Sequence, residues 1–195
     1  MSRILNENSS NGVGLLAELL ALAIRLDPVL FREVRQRMVL DQRTGAITSD
    51  LIETELEAEL SRARLLGYPL GVIVVWIDAW DQDSDDGKWL LEKKGIRAVV
   101  DHLKSLVRST DWVAANKDAN RFIIVLPGCG KSQIKQVQSK IQNGFTDFQF
   151  EIPEVIEAAP QIYTGHAFSE DGNSTVAALI QTAEEGVADK FPRGY

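Results

Sequence analysis

Apolar residues run almost without a break from Val13 to Leu26, interrupted only by Glu18 and Arg25 among charged side chains. Good helix formers fill the stretch, and a helix apolar on all sides needs cover on more than one of them. Asp27-Pro28 opens a second helix to about Leu40, with Asp27 as N-cap and Pro28 in the first turn. Val29, Leu30, Val34 and Met38 recur along it at helical spacing. The residues before this pair, from Met1 to Gly12, are polar and read as a flexible arm. A third helix is predicted from about Ser49 to Leu66, capped by Thr48 or Ser49 and stopped at Gly67. Leu51, Leu56, Leu60 and Ala63 form its apolar face. Leu70 to Ile77 is apolar without alternation, as in a strand covered on both faces. A helix ending at Val107 shows Ile96, Val99, Val100, Leu103 and Leu106 on one side. Two short apolar runs, Trp112 to Ala115 and Arg121 to Leu126, flank turn formers from Asn116 to Asn120 and predict a β-hairpin. Lys131 to Gln142 is amphipathic through Ile134, Val137 and Ile141. Phe145 to Ile156 reads as one strand and a loop, Gln161 to Phe168 as a strand, and Ser174 to Lys190 as a last helix.

The chain's 195 residues suit one domain with a short extension. The boundary falls between an arm and helical extension, 1–40, and a domain, 41–195. Hydrophobic residues make up 45% and charged residues 25%, the balance of a soluble globular protein. A net charge of −7 argues against a nucleic-acid surface or a polybasic membrane patch. The lone cysteine, Cys129, excludes an internal disulfide and a cysteine-based metal cluster, which suits a reducing cytoplasm. Val13 to Leu26 is shorter than the ~20 residues a membrane span requires.

The stretch Arg108-Ser-Thr-Asp111-Trp112, followed by the hairpin through Phe122 to Pro127, resembles the signature hairpin of the GGDEF domain, the bacterial diguanylate cyclase family. That family has an Arg-x-x-Asp pair, a short strand, then Gly-Gly-Asp-Glu-Phe opening an apolar strand that often ends in Pro. Arg108, Asp111, Phe122 and Pro127 match. The five signature positions read Asp118-Ala119-Asn120-Arg121-Phe122, and one extra residue separates Asp111 from the turn. Asp41-Gln-Arg-Thr44-Gly45 is similar to the family's opening Asp-x-Leu-Thr-Gly turn. Trp76-Ile77-Asp78-Ala79-Trp80 matches its Asp-x-Asp-x-Phe strand end, with Trp76 where the metal-holding Asp stands. A substrate-contacting Asn falls at Ser84 and a second metal Asp near Lys93. Tyr163 to Ala167 and the helix with Ala183, Glu184, Val187 and Lys190 match later motifs in spacing. The resemblance covers about Asp41 to Lys190 and implies an α/β fold. It has a central, mostly antiparallel sheet of about five strands, flanked by helices and preceded by the helical extension.

Three other patterns compete for attention. Gly128-Cys-Gly130-Lys131-Ser132 lies between a strand and a helix like a phosphate-binding loop, but Val125 stands where the first glycine should be. Asp81, Asp83 and Asp85 with Glu92 imitate a calcium loop, but Asp86 replaces the required glycine. His102, His166 and Cys129 have no second ligand or base nearby in sequence and read as packing or surface residues. Trp76, Trp80, Trp89 and Trp112 are expected to gather around the family's cleft.

In that family, chemistry on GTP uses the strand-end Asp and the third signature position to hold a divalent metal at the phosphates. Those positions are Trp76 and Asn120. The expected function is therefore a non-enzymatic GGDEF-like interaction or scaffolding module in bacterial signalling, with no catalytic residue, metal or cofactor. Its partner is another protein or a second copy of the chain, most simply as a dimer through residues 13–40. One alternative is a cyclic di-GMP receptor, since the resemblance makes Arg108 and Asp111 the inhibitory site for that ligand. An Arg fork grips a guanine edge or phosphate and an Asp accepts from guanine N–H groups. The other alternative is a nucleotide-binding enzyme using Gly128 to Ser132.

Overall fold

The computed structural model describes residues 45–78, 95–115, 120–148, 150–152, 155–158 and 161–189. The helices expected over 13–40, the acidic loop from Asp81 to Gly87, Trp80, Trp89, Lys93 and the turn residues Asp118 and Ala119 lie outside them. In chain order the elements are β1 (Ile47–Thr48), α1 (Ser49–Leu66), β2 (Leu70–Asp78), α2 (Gly95–Leu106), β3 (Trp112–Ala115), β4 (Arg121–Pro127), α3 (Lys131–Gly144), β5 (Phe150–Ile152), β6 (Val155–Ala158), β7 (Gln161–Ser169) and α4 (Val176–Ala188).

The uninterrupted apolar run becomes the central strand. β2 pairs antiparallel with β4 on one side and β7 on the other. Both alternating sets of its side chains are buried, Ile73, Val75 and Ile77 on one face and Leu70, Val72 and Val74 on the other. β3 and β4 form the expected hairpin, with Ala115 opposite Phe122. The two-residue β1 adds a parallel pairing to β3, so the order is β1-β3-β4-β2-β7. No periodicity could reveal β1, because two residues cannot show a repeat. The five-stranded, mostly antiparallel α/β sheet is thus the one expected. The stretch read as one strand and a loop instead holds β5 and β6, which pair as a separate two-stranded sheet.

α2 and α3 cover one face of the sheet, over Ile73, Ile124 and Phe122. α1 and α4 cover the other, over Val72, Val74 and Val125. α1 buries Ile52, Leu56, Leu60 and Ala63; Leu51, expected on that face, is only half-buried. Ile52 is four residues before Leu56 and so shares its stripe, whereas Leu51 is five before and turns away. The helix stops at Gly67, at φ 70°, whose N–H donates to the Ala63 carbonyl at 2.8 Å. α4 starts on Thr175, whose hydroxyl accepts from Ala178 N–H at 3.2 Å. Among the described residues no helix is long and apolar enough to cross a membrane.

Candidate functional site

The register of β2 against β4 sets Trp76 opposite Arg121, with Tyr163 of β7 as its other neighbour. The Arg121 guanidinium lies 5.5 Å from the centre of the Trp76 ring, within cation–π range. It also forms an ion pair with Glu184 of α4, and both side chains are largely shielded from solvent. A cavity of about 250 Å³ adjoins this pair, walled by Ile52, Glu53, Ile123 and Ile180 among others. Asn120, at the third signature position, uses its backbone: its carbonyl accepts from Ile77 N–H at 2.9 Å and ties the turn to β2. A divalent metal does not fit at Trp76, since an indole N–H is a donor only. Among the described residues no group of three or more His, Cys, Asp or Glu could hold a metal ion. Trp112 pairs with Val125, which pairs with Val72, so it stands four rows along the sheet from Trp76. These two tryptophans do not gather at one cleft, because β3 begins at the far end of β4.

Arg108 follows α2, exposed, while the preceding Val107 packs against the core. Asp111 closes the turn reciprocally: its carboxylate accepts from Arg108 N–H at 2.8 Å, and its own N–H donates to the Arg108 carbonyl at 3.0 Å. Burial lifts the Asp111 carboxyl above its ordinary range, against the Arg108 N–H and the Arg108 charge, which pull it down. The two residues therefore share one turn, with the guanidinium on the surface and the carboxylate half-buried beside it.

The loop from Gly128 to Ser132 is a helix start in which the N–H groups of Gly128, Cys129, Gly130 and Lys131 are already engaged. Gly130 N–H donates to the Gln133 side chain at 2.9 Å and Lys131 N–H to Glu170 at 3.3 Å. A carboxylate of the chain itself thus occupies the place a phosphate would take. Cys129 is buried and burial raises its thiol pKa, which suits packing and not nucleophilic attack. His102 pairs through Nε2 with the Gly144 carbonyl at 2.8 Å and stacks on Phe148. His166 pairs with buried Gln138, which donates to Thr164, and so pins α3 to β7.

A larger hollow lies between α1 and α4. It has a volume of about 660 Å³ and is lined by buried Leu60, half-buried Val176 and Ile180, and the polar side chains of Glu53, Glu57, Ser61, Arg64, Gln181 and Glu184. No periodicity pointed to it, because it exists only where two helices distant in sequence lie side by side.

The model of the family described as diguanylate cyclase, GGDEF domain, matches residues 38–190. The chain belongs to the GGDEF family. The diguanylate cyclase DosC of Escherichia coli K12 is 24% identical over 166 residues, which is 85% of this chain and 36% of DosC. The chain thus spans about a third of the length of that curated relative. Among solved structures, the diguanylate cyclase SiaD of Pseudomonas aeruginosa, determined with its activator SiaC, has a TM-score of 0.70 at 14% identity, covering 95% of this chain and 71% of that one. The coiled coil and GGDEF domain of DgcB from Caulobacter crescentus, determined with c-di-GMP, has a TM-score of 0.65 at 18% identity, covering 88% and 90%. Both show the same fold.

This membership corrects the expectation that the chain is not an enzyme. The matching family is defined as a cyclase and its curated relatives carry that name. The substitutions at Trp76 and Asn120 do not by themselves show inactivity.

Proposed function

We propose that this GGDEF domain serves bacterial cytoplasmic signalling as a protein-interaction or scaffolding module, with another protein or a second copy as its partner. The observation that carries this reading is the open hollow between α1 and α4. Its lining combines buried and half-buried apolar residues with exposed polar ones, the mixture found in protein-binding grooves. That SiaD, of like fold, is found with a protein activator supports the same use. A photo-crosslinking residue at Gln181, inside the groove, tests it in cells. It should give a discrete adduct with one protein, identified by mass spectrometry. The same residue at Lys135, on the opposite face, should not. Absence of any adduct from Gln181, or equal adducts from both sites, would remove the reading.

Residues 13–40 are proposed, from their sequence, to bury apolar surface against protein. Leu15, Leu16, Leu19, Leu20, Leu22, Ile24, Leu26, Leu30 and Phe31 are too many to leave in water at roughly 1.5–3 kcal/mol each. A chain starting at Asp41 is expected to change its oligomeric state or become insoluble. A soluble truncation that remains in the full chain's oligomeric state by light scattering would exclude it.

A second reading, cyclic di-GMP binding at Arg108 and Asp111, is favoured by their shared turn and the exposed guanidinium. DgcB, of like fold, is seen with this ligand. Arg108→Ala should weaken binding at least about tenfold by removing a charge-assisted hydrogen bond. Arg108→Lys should fail nearly as badly, because an ammonium lacks the planar fork. Guanine N–H donors favour the ionised Asp111, whose carboxyl burial has raised. Affinity should therefore rise as pH climbs through its titration and level off above it. Calorimetry across pH checks both, and absence of binding at high micromolar ligand would eliminate the site.

A further inference from the structure

Two observations say what kind of partner the hollow between α1 and α4 fits. The first is its shape. Gly172, just before α4, lies against Leu60 and Arg64 of α1. At the other end, Glu184 of α4 and Glu53 of α1 wall one cavity. The two helices therefore run antiparallel, with the hollow lying lengthwise between them. From Glu53 to Arg64 the α1 side extends for roughly 16 Å at the helical rise. A third helix laid along such a furrow sets its side chains between those of the two below.

The second is charge. Glu53 and Glu57 are one turn apart on the same edge of α1, both exposed. Among the described residues neither carboxylate has a cationic partner. Glu184 faces them from α4, paired to Arg121 beneath. The one cation along the sides, Arg64, donates to the Gly172 carbonyl at 2.9 Å and is turned toward its own chain. Of its apolar lining, Leu60 is buried and Val176 and Ile180 are half-buried. A small ligand would call for converging buried polar groups; here the carboxylates of the lining, Glu53 and Glu57, are exposed.

We propose that this groove takes an amphipathic helix from a partner protein, its apolar stripe on Leu60, Val176 and Ile180 and its lysines or arginines against Glu53 and Glu57. The inference rests on the interaction-module reading and specifies the partner's chemistry. Steering by the two carboxylates would make association salt-dependent, since exposed pairs are screened at physiological ionic strength.

The test uses the full chain and labelled synthetic peptides of about 16 residues, long enough to be partly helical alone. One carries leucine on one stripe and lysine on the other, the second has glutamate at each lysine, and the third is the first in scrambled order. Fluorescence anisotropy should show the lysine peptide binding, and the glutamate and scrambled peptides binding at least about tenfold more weakly. Glu53→Lys/Glu57→Lys, two exposed changes whose fold circular dichroism verifies, should lose the lysine peptide and gain the glutamate one. No binding of the lysine peptide, equal binding of all three, or an unchanged double variant would overturn the proposal. The crosslink from Gln181 reports separately. An adduct there without peptide binding would sink the basic-helix partner alone, whereas absence of an adduct would sink the interaction reading and this partner with it.

Discussion

Gly165→Ala is expected to cost the domain about 3 kcal/mol or more, a large part of the stability of an ordinary domain. Gly165 lies in β7 where α4 crosses it backbone to backbone. A Cβ there would overlap the Ala183 carbonyl oxygen and stand 2.7 Å from Val187 N. Neither neighbour is a side chain that can rotate away, so the helix as a whole must lift. Lifting it would open the contacts of Leu179, Ala183 and Val187 with the sheet, all of which are buried. Gly186 offers an internal comparison. A Cβ on it would meet Gly165 Cα at 3.3 Å, a contact that a small shift can relieve. Gly186→Ala should therefore lose distinctly less. Urea unfolding followed by circular dichroism measures both. A midpoint for Gly165→Ala equal to that of the natural chain would mean that α4 does not press on β7 as described.

Phe122→Ala should cost about 3–5 kcal/mol, the usual range for removing a buried aromatic ring. Phe122 is fully buried, opposite Ala115 on β3 and Val75 on β2. It shares its cluster with Ile77, Ile96 and Val99, so the void would open between the hairpin and α2. Phe122→Leu keeps most of the volume and should retain most of the stability. If Phe122→Ala kept the unfolding midpoint of the natural chain, the ring would have no role in the core.

This phenylalanine also shows what could be read early. Its place in the signature and its burial have the same origin: an apolar ring on a strand with sheet on both sides. The hairpin around it was legible because turn formers sit between two apolar runs, and that is a local property. Arg121 beside it was legible only as a departure from the family pattern. Its partner Glu184 is on another element far along the chain, and an ion pair leaves no spacing rule between such residues. The buried link from Thr164 through Gln138 to His166 was missed for the same reason. A glutamine on an amphipathic helix reads as solvent-facing until the strand beneath it supplies partners.

Two matters needed more than either reading of residues. The exclusion of enzyme activity from Trp76 and Asn120 took two positions as decisive, and the family match over 38–190 overturned it. The tryptophans were expected together around the cleft that the family resemblance implied, yet the register of β3 on β4 separates Trp76 from Trp112.

By itself, the sequence determined the four helices α1 to α4, the strands β2, β3, β4 and β7, the burial of Leu70 to Ile77 on both faces and the likeness to the GGDEF fold. Each follows from short-range periodicity, turn chemistry or motif order, which the chain carries wherever it goes. Only the tertiary structure decided the parallel pairing of β1, the Arg121–Glu184 lock over Trp76, the close crossing at Gly165 and the groove between α1 and α4. These depend on which faces meet and at what separation, and that is set by packing among elements that no local pattern connects.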